Sequence, residues 1–132
     1  MKLIRWIKKQ IERRKEKRTV KKIEKALGIK LYDWQIKFIF GHQDFMNSAR
    51  ACGKTLAHCI RICIEHKKPP LTLNIWKIQD DISVEKYEGA QAEMFMRQEA
   101  YKHWLFHELR STYQKLCTQK IKLRKIIFEV RR

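Results

Sequence analysis

The chain has 132 residues, 44% of them hydrophobic and 34% charged, which is enough apolar material for one core, too little length for two, and an argument against wholesale disorder. Lys and Arg number 31 against 14 Asp and Glu, a net charge of +17. Solubility needs far less, so the excess points to a polyanion, with nucleic acid first and an anionic membrane surface second.

The charge is uneven. Residues 1–30 hold 13 basic and 3 acidic side chains, residues 31–112 hold 11 and 10, and residues 113–132 hold 7 and 1, so two basic stretches flank a nearly neutral body. The apolar runs fall short of a bilayer crossing, and the basic start lacks the apolar stretch and cleavage site of a signal peptide. The expected location is the cytoplasm of a host cell. Four cysteines are too few and too unevenly spaced for a disulfide framework, so reduced thiols are expected.

From Lys2 to Leu27 no Pro or Gly intervenes, and Leu3, Ile4, Ile7, Ile11, Val20, Ile23 and Leu27 recur at roughly helical spacing until Gly28, a residue suited to ending a helix. The stretch from Glu12 to Thr19 has no apolar side chain, so a helix there is solvated and open to a break. Its basic residues Arg13, Arg14, Lys15, Lys17, Arg18, Lys21 and Lys22 are the first set expected to contact phosphates. A membrane-surface role for Leu3, Ile4, Trp6, Ile7 and Ile11 ranks below nucleic acid, because that apolar face is short and no lipidation signal accompanies it.

Leu31 to Phe40 predicts a second, apolar helix stopped by Gly41. A strand around Asp44 to Ala49 then leads into a third helix from Leu56 to His66, with Leu56, Cys59, Ile60, Cys63 and Ile64 inward. Pro69-Pro70 is the clearest punctuation. Leu71 to Ile78 alternates as a strand, with Leu71, Leu73, Ile75 and Lys77 on one face. Asp80, Asp81 and Ser83 are plausible caps for a long helical region from about Val84 to Cys117. Leu123 to Val130 reads as a last strand. Lys120, Lys122, Arg124 and Lys125, just before and within it, form the second set of expected phosphate contacts.

Gly53-Lys54-Thr55 at a strand-to-helix junction is the second half of a phosphate-binding loop. Such a loop needs inward N–H groups, a Gly for close approach, a Lys to reach the outer phosphates and a hydroxyl for Mg2+. The standard pattern has Gly five residues before Gly53, and Ser48 stands there. Together with the upstream Leu31-Tyr32-Asp33-Trp34-Gln35, the stretch Ser48-Ala49-Arg50-Ala51-Cys52-Gly53-Lys54-Thr55 resembles the start of the ATPase domain of phage terminase large subunits and related helicase-type P-loop proteins. The resemblance covers roughly residues 31 to 78. It implies that Gln35 contacts adenine, that Ser48, Arg50, Gly53 and Lys54 cradle the phosphates of ATP, and that Thr55 holds Mg2+. It further implies a phage or prophage setting, DNA ahead of RNA as the nucleic acid, and a larger phage or host protein complex as a further partner.

The family supplies, after its second strand, an apolar strand ending in Asp-Glu, then a coupling motif. Here Asp80-Asp81 follows an alternating strand, and Glu129 has no preceding Asp. Phosphoryl transfer depends on positioning and charge stabilisation, so weak or no ATPase activity is expected of this chain. The expected fold is α/β and helix-rich, a minimal P-loop-like core with two or three strands packed by long helices. Residues 1–30 form a basic helical segment, and residues 31–132 a single small P-loop-like domain with a basic C-terminal end. The alternative is a non-enzymatic basic helical protein that binds nucleic acid or a nucleoprotein complex, its loop vestigial.

Four weaker features remain. His103 and His107, with Glu99 and Glu108 nearby, and Cys59, Cys63 and His66 have helical spacing, and packing is favoured over metal for both. Cys52, in a basic loop at a helix start, favours its thiolate. The stripe running from Tyr87 through Met94, Trp104, Leu105 and Leu109 to Leu116 reads as core or interface rather than a base-stacking platform.

Overall fold

The computed structural model describes residues 2–43, 54–78 and 99–131. Their elements, in chain order, are α1 (Lys2–Leu27), α2 (Asp33–Ile39), α3 (Lys54–Ile64), β1 (Leu71–Asn74), α4 (Glu99–Leu116) and β2 (Ile126–Glu129). The fold is helix-rich, with a small two-stranded parallel sheet among the described residues. The expected strand around Asp44 to Ala49, and the expected helical residues 84–98, lie outside them.

The charged stretch of α1 does not break: one helix runs unbroken to Leu27. Gly28 then takes a φ of 65°, and the Ile29 N–H closes back on the Glu24 carbonyl at 3.2 Å, the six-to-one bond of a Schellman turn. The Glu24 carboxylate accepts the Leu31 N–H at 2.8 Å, so one residue anchors both sides of the turn. α2 ends the same way, with Gly41 at a φ of 77° and His42 N–H on the Lys37 carbonyl at 2.8 Å.

Helix α3 is the core helix. Ala57, His58, Cys59 and Ile60 are all buried in succession, which a helix allows only when packed on several sides. It packs against both α2 and α4. On α4 the buried residues Leu105, Leu109, Thr112 and Leu116 recur at spacings of four, three and four, so this part of the expected stripe is core, whereas Trp104 is 46% exposed and Tyr87 and Met94 lie outside the described residues. Phe106 and Tyr113 of α4 meet the ring of Phe128 in β2 at 5.5 and 5.7 Å, which seats one face of the sheet on α4.

The strands pair in parallel, Leu71 beside Ile126 through Asn74 beside Glu129, and the connection between them carries α4, as parallel pairing requires. Leu73 and Ile75 are buried and Thr72 is exposed, the expected alternation. β1 stops at Asn74 rather than Ile78, because the Asn74 side-chain oxygen accepts the Trp76 N–H at 2.9 Å and its carbonyl accepts the Lys77 N–H at 3.0 Å. An Asx turn has displaced the strand.

At the start of the sheet the Arg124 N–H donates to the Cys63 carbonyl at 2.7 Å, and Leu71 N–H to the Lys125 carbonyl at 2.9 Å. The last turn of α3 therefore sits where both strands begin. Lys54, which opens this 11-residue helix, is nine residues from Cys63, roughly 13 Å at 1.5 Å per residue.

Candidate nucleic-acid interface

Helix α1 sorts its charges by direction. At about 100° per residue, Arg14, Arg18, Lys22 and Lys25 follow one another on one face with Lys15 and Lys21 beside them, and all six are exposed. The three acidic residues turn elsewhere. Glu12 and Glu16 line a cleft against α2 with Lys37 and His42, Glu16 meets the His42 ring at 2.9 Å, and Glu24 is held by the Leu31 N–H. None of α1's own carboxylates therefore lies on its outward face from Arg14 to Lys25. Arg13 and Lys17 stand on the flank, lining the grooves toward α2.

The second basic set joins this face. Lys22 Nζ donates to the Lys120 carbonyl at 2.7 Å, which ties the end of α1 to the segment after α4. Lys120, Lys122 and Lys125 are exposed. Arg124 is placed differently: its side chain is 13% exposed, its Nε donates to the Pro69 carbonyl at 2.7 Å, and it lies 3.9 Å from Glu65. The Glu65 carboxylate also receives Arg61 at 3.5 Å and Lys68 at 3.0 Å. Arg124 is thus part of the joint between α3 and the sheet.

Of the residues expected around a nucleotide, Lys54 opens α3 and Thr55 follows in its first turn, the positions a phosphate-binding helix start requires. Ser48, Arg50, Gly53 and Cys52 lie outside the described residues. Gln35 is 3% exposed, and its side-chain oxygen accepts the Tyr32 N–H at 2.8 Å, which caps the start of α2. Among the described residues no group of three His, Cys, Asp or Glu side chains could hold a metal ion. His103 instead stacks edge-on against Trp76, ring centres 4.8 Å apart.

Two residues escaped the sequence reading. Lys25 completes the outward stripe, and the spacing of four, four and three from Arg14 through Arg18 and Lys22 would have found it. His58 is buried at 1% exposure, and burial, with the nearby Arg61 charge second, pushes its imidazole down from 6.5 to about 4. The run Leu56-Ala57-His58-Cys59-Ile60 carried that signal, since a helix buried on several sides buries whatever it contains.

No described helix is long and apolar enough to cross a membrane. The chain matches no family model, no curated protein and no solved structure.

Proposed function

We propose that this chain binds nucleic acid through phosphate contacts made by the outward face of α1 together with Lys120, Lys122 and Lys125. One observation supports the reading above the others: α1 directs every carboxylate away from that face, and Lys22 joins it to the second basic segment. A merely solvated charged helix has no need of such sorting. Contacts of this type position a protein on a phosphate backbone and carry little sequence information. Binding is therefore expected to be salt-dependent and nearly indifferent to sequence, with DNA in a phage or host setting as the first substrate to try.

The test is fluorescence anisotropy on labelled duplex DNA, single-stranded DNA and RNA over a salt series. Converting Arg14, Arg18 and Lys21 to Ala should lower the slope of log affinity against log salt, on duplex DNA, by about 0.9 for each phosphate no longer neutralised. An unchanged slope, or wild-type binding indifferent to salt, rejects the proposal.

A second reading, nucleotide binding at the start of α3, rests on Lys54 and Thr55 opening that helix. When bound, Mg2+-ATP would have its charge met by Lys54 and its metal by Thr55. With no carboxylate recognised to orient water, the chain would hold nucleotide and turn it over slowly.

A further inference from the structure

The first third of α1 carries an apolar stripe that packs into no core cluster among the described residues. Leu3, Ile4, Trp6, Ile7 and Ile11 are between 43% and 67% exposed, whereas Ile23 is the residue by which α1 is buried in the body. At 3.6 residues per turn, Ile23 is rotated by about 120° from Ile11. The helix therefore cannot pack both faces on one body: seating Ile23 turns Leu3, Ile4, Ile7 and Ile11 outward. Trp6 stands at the border of this stripe, with Lys2 beyond Trp6 and Lys8 beyond Ile4 flanking it at about 100° per residue, Arg5 and Lys9 on the opposite side, and no carboxylate before Glu12.

We infer that this third of α1 docks on an anionic lipid surface, lying in the interface rather than crossing it. Phosphates alone would give the apolar stripe nothing, since burying it requires a partner with an apolar layer. A second copy of the chain is opposed by charge. Pairing two stripes would bring the flanking Lys2 and Lys8 of both copies to one seam with no carboxylate before Glu12 to offset them, over far fewer side chains than the roughly 20–30 residues a side of a standard interface. An anionic bilayer answers both features. Its acyl boundary takes the aliphatic side chains, its headgroups attract the lysines and arginines, and an indole at the border suits the interfacial zone. The basic stripe from Arg14 onward continues along the same side of the helix, so a helix lying flat presents it to headgroups as well.

The experiment is co-sedimentation of the full chain with vesicles of phosphatidylcholine, with and without about 30% phosphatidylglycerol, a charge density that attracts polybasic segments. Wild type should bind the anionic vesicles and not the neutral ones. The double variant Ile4→Gln, Ile7→Gln changes two exposed helical positions and should lose at least about tenfold in vesicle affinity while its DNA affinity stays within twofold. Equal binding by variant and wild type would reduce the effect to charge adsorption and overturn the inference. Failure of wild type to bind anionic vesicles overturns it too. So does a wild-type dimer, seen by analytical ultracentrifugation, that the double variant dissolves, since the stripe would then belong to a second copy. The vesicle and dimer outcomes do not depend on whether the Arg14 to Lys25 face binds nucleic acid; the DNA control alone does.

Discussion

Lys22 and Lys120 meet at 2.7 Å, the ammonium of the first donating to the backbone carbonyl of the second. Two basic segments of a chain with net charge +17 are joined here through a main-chain carbonyl, in the turn four residues past the end of α4. Repulsion between the segments is offset by main-chain oxygen rather than by carboxylates. The surface therefore stays basic while being held together.

That arrangement predicts a split result for Lys22→Met, which keeps the aliphatic stem and removes the charge. The bond is solvent-exposed, so unfolding free energy should fall by only about 0.5 kcal/mol. DNA affinity should fall severalfold, because one charge is removed and the Lys120 segment is released. Denaturant unfolding and anisotropy on the same preparation would check it. A loss of affinity no larger than that of Lys15→Met would show that the tie contributes nothing to the surface.

Arg124 should behave in the opposite way. Mostly buried and bonded to Pro69 and Glu65, it holds the start of β2 against the end of α3. Arg124→Ala should cost about 1–3 kcal/mol of stability, since it leaves part of a charge network without its counterpart. DNA affinity below the melting temperature should stay within twofold. A large affinity loss with unchanged melting would put Arg124 back among the phosphate contacts.

The contrast shows how much was legible in the chain. Gly28 and Gly41 mark two helix ends, the alternation of Leu71, Leu73 and Ile75 marks a buried strand face, and Lys54 marks the start of α3, all from local chemistry. What was not legible is non-local. Nothing near Arg124 says that Glu65 will engage it, nothing near Glu16 says that His42 will, and β1 ends early because Asn74 turns the chain back on itself. The basic surface was half visible for the same reason. Its residues could be counted, but the inward turn of the acidic residues depends on where α2 packs.

His58 gives the fold a pH dependence. The unfolded chain takes up a proton at this imidazole near 6.5, and the folded chain only near 4. Between those values the unfolded state binds more protons, so stability falls as pH falls, while above 6.5 both states are neutral and the contribution is complete. The full difference is on the order of 3 kcal/mol. The melting temperature should therefore drop between pH 7 and pH 5, and His58→Gln should flatten most of that drop. An equally steep variant would mean that carboxylates set the slope.

The thiols should divide by burial. Cys59 and Cys63 are buried and Cys117 is exposed. Burial first, then the neighbouring Cys59 and Cys117, pushes the Cys63 thiol up, so it stays protonated and unreactive at neutral pH. With a thiol-specific disulfide reagent on the folded Cys52→Ser chain, which removes the thiol expected to be reactive at the loop, Cys117 should react early, and adding Cys117→Ser should remove that phase. Cys59 and Cys63 should react only on unfolding. Early modification of either, located by peptide mass analysis, would mean that α3 opens far more readily than a core helix should.

The start of α3 and the basic surface offer a last separation. Lys54 and Thr55 stand at the first turn of α3, whereas Cys63, in its last, receives Arg124, four residues beyond Lys120. Lys54 and Cys63 are roughly 13 Å apart along the helix, beyond the Debye length of about 10 Å at 0.1 M salt. Charge changes at one end should be largely screened from the other. Lys54→Ala should accordingly abolish binding of Mg2+-ATP, measured by calorimetry, and leave DNA affinity at that salt within twofold. Arg18→Ala should do the reverse. If Lys54→Ala weakens DNA as much as ATP, the two anions share one site, and α3 would have to be read as part of the nucleic-acid surface. If wild type takes up no nucleotide, the second reading falls and the outward face of α1 carries the function alone.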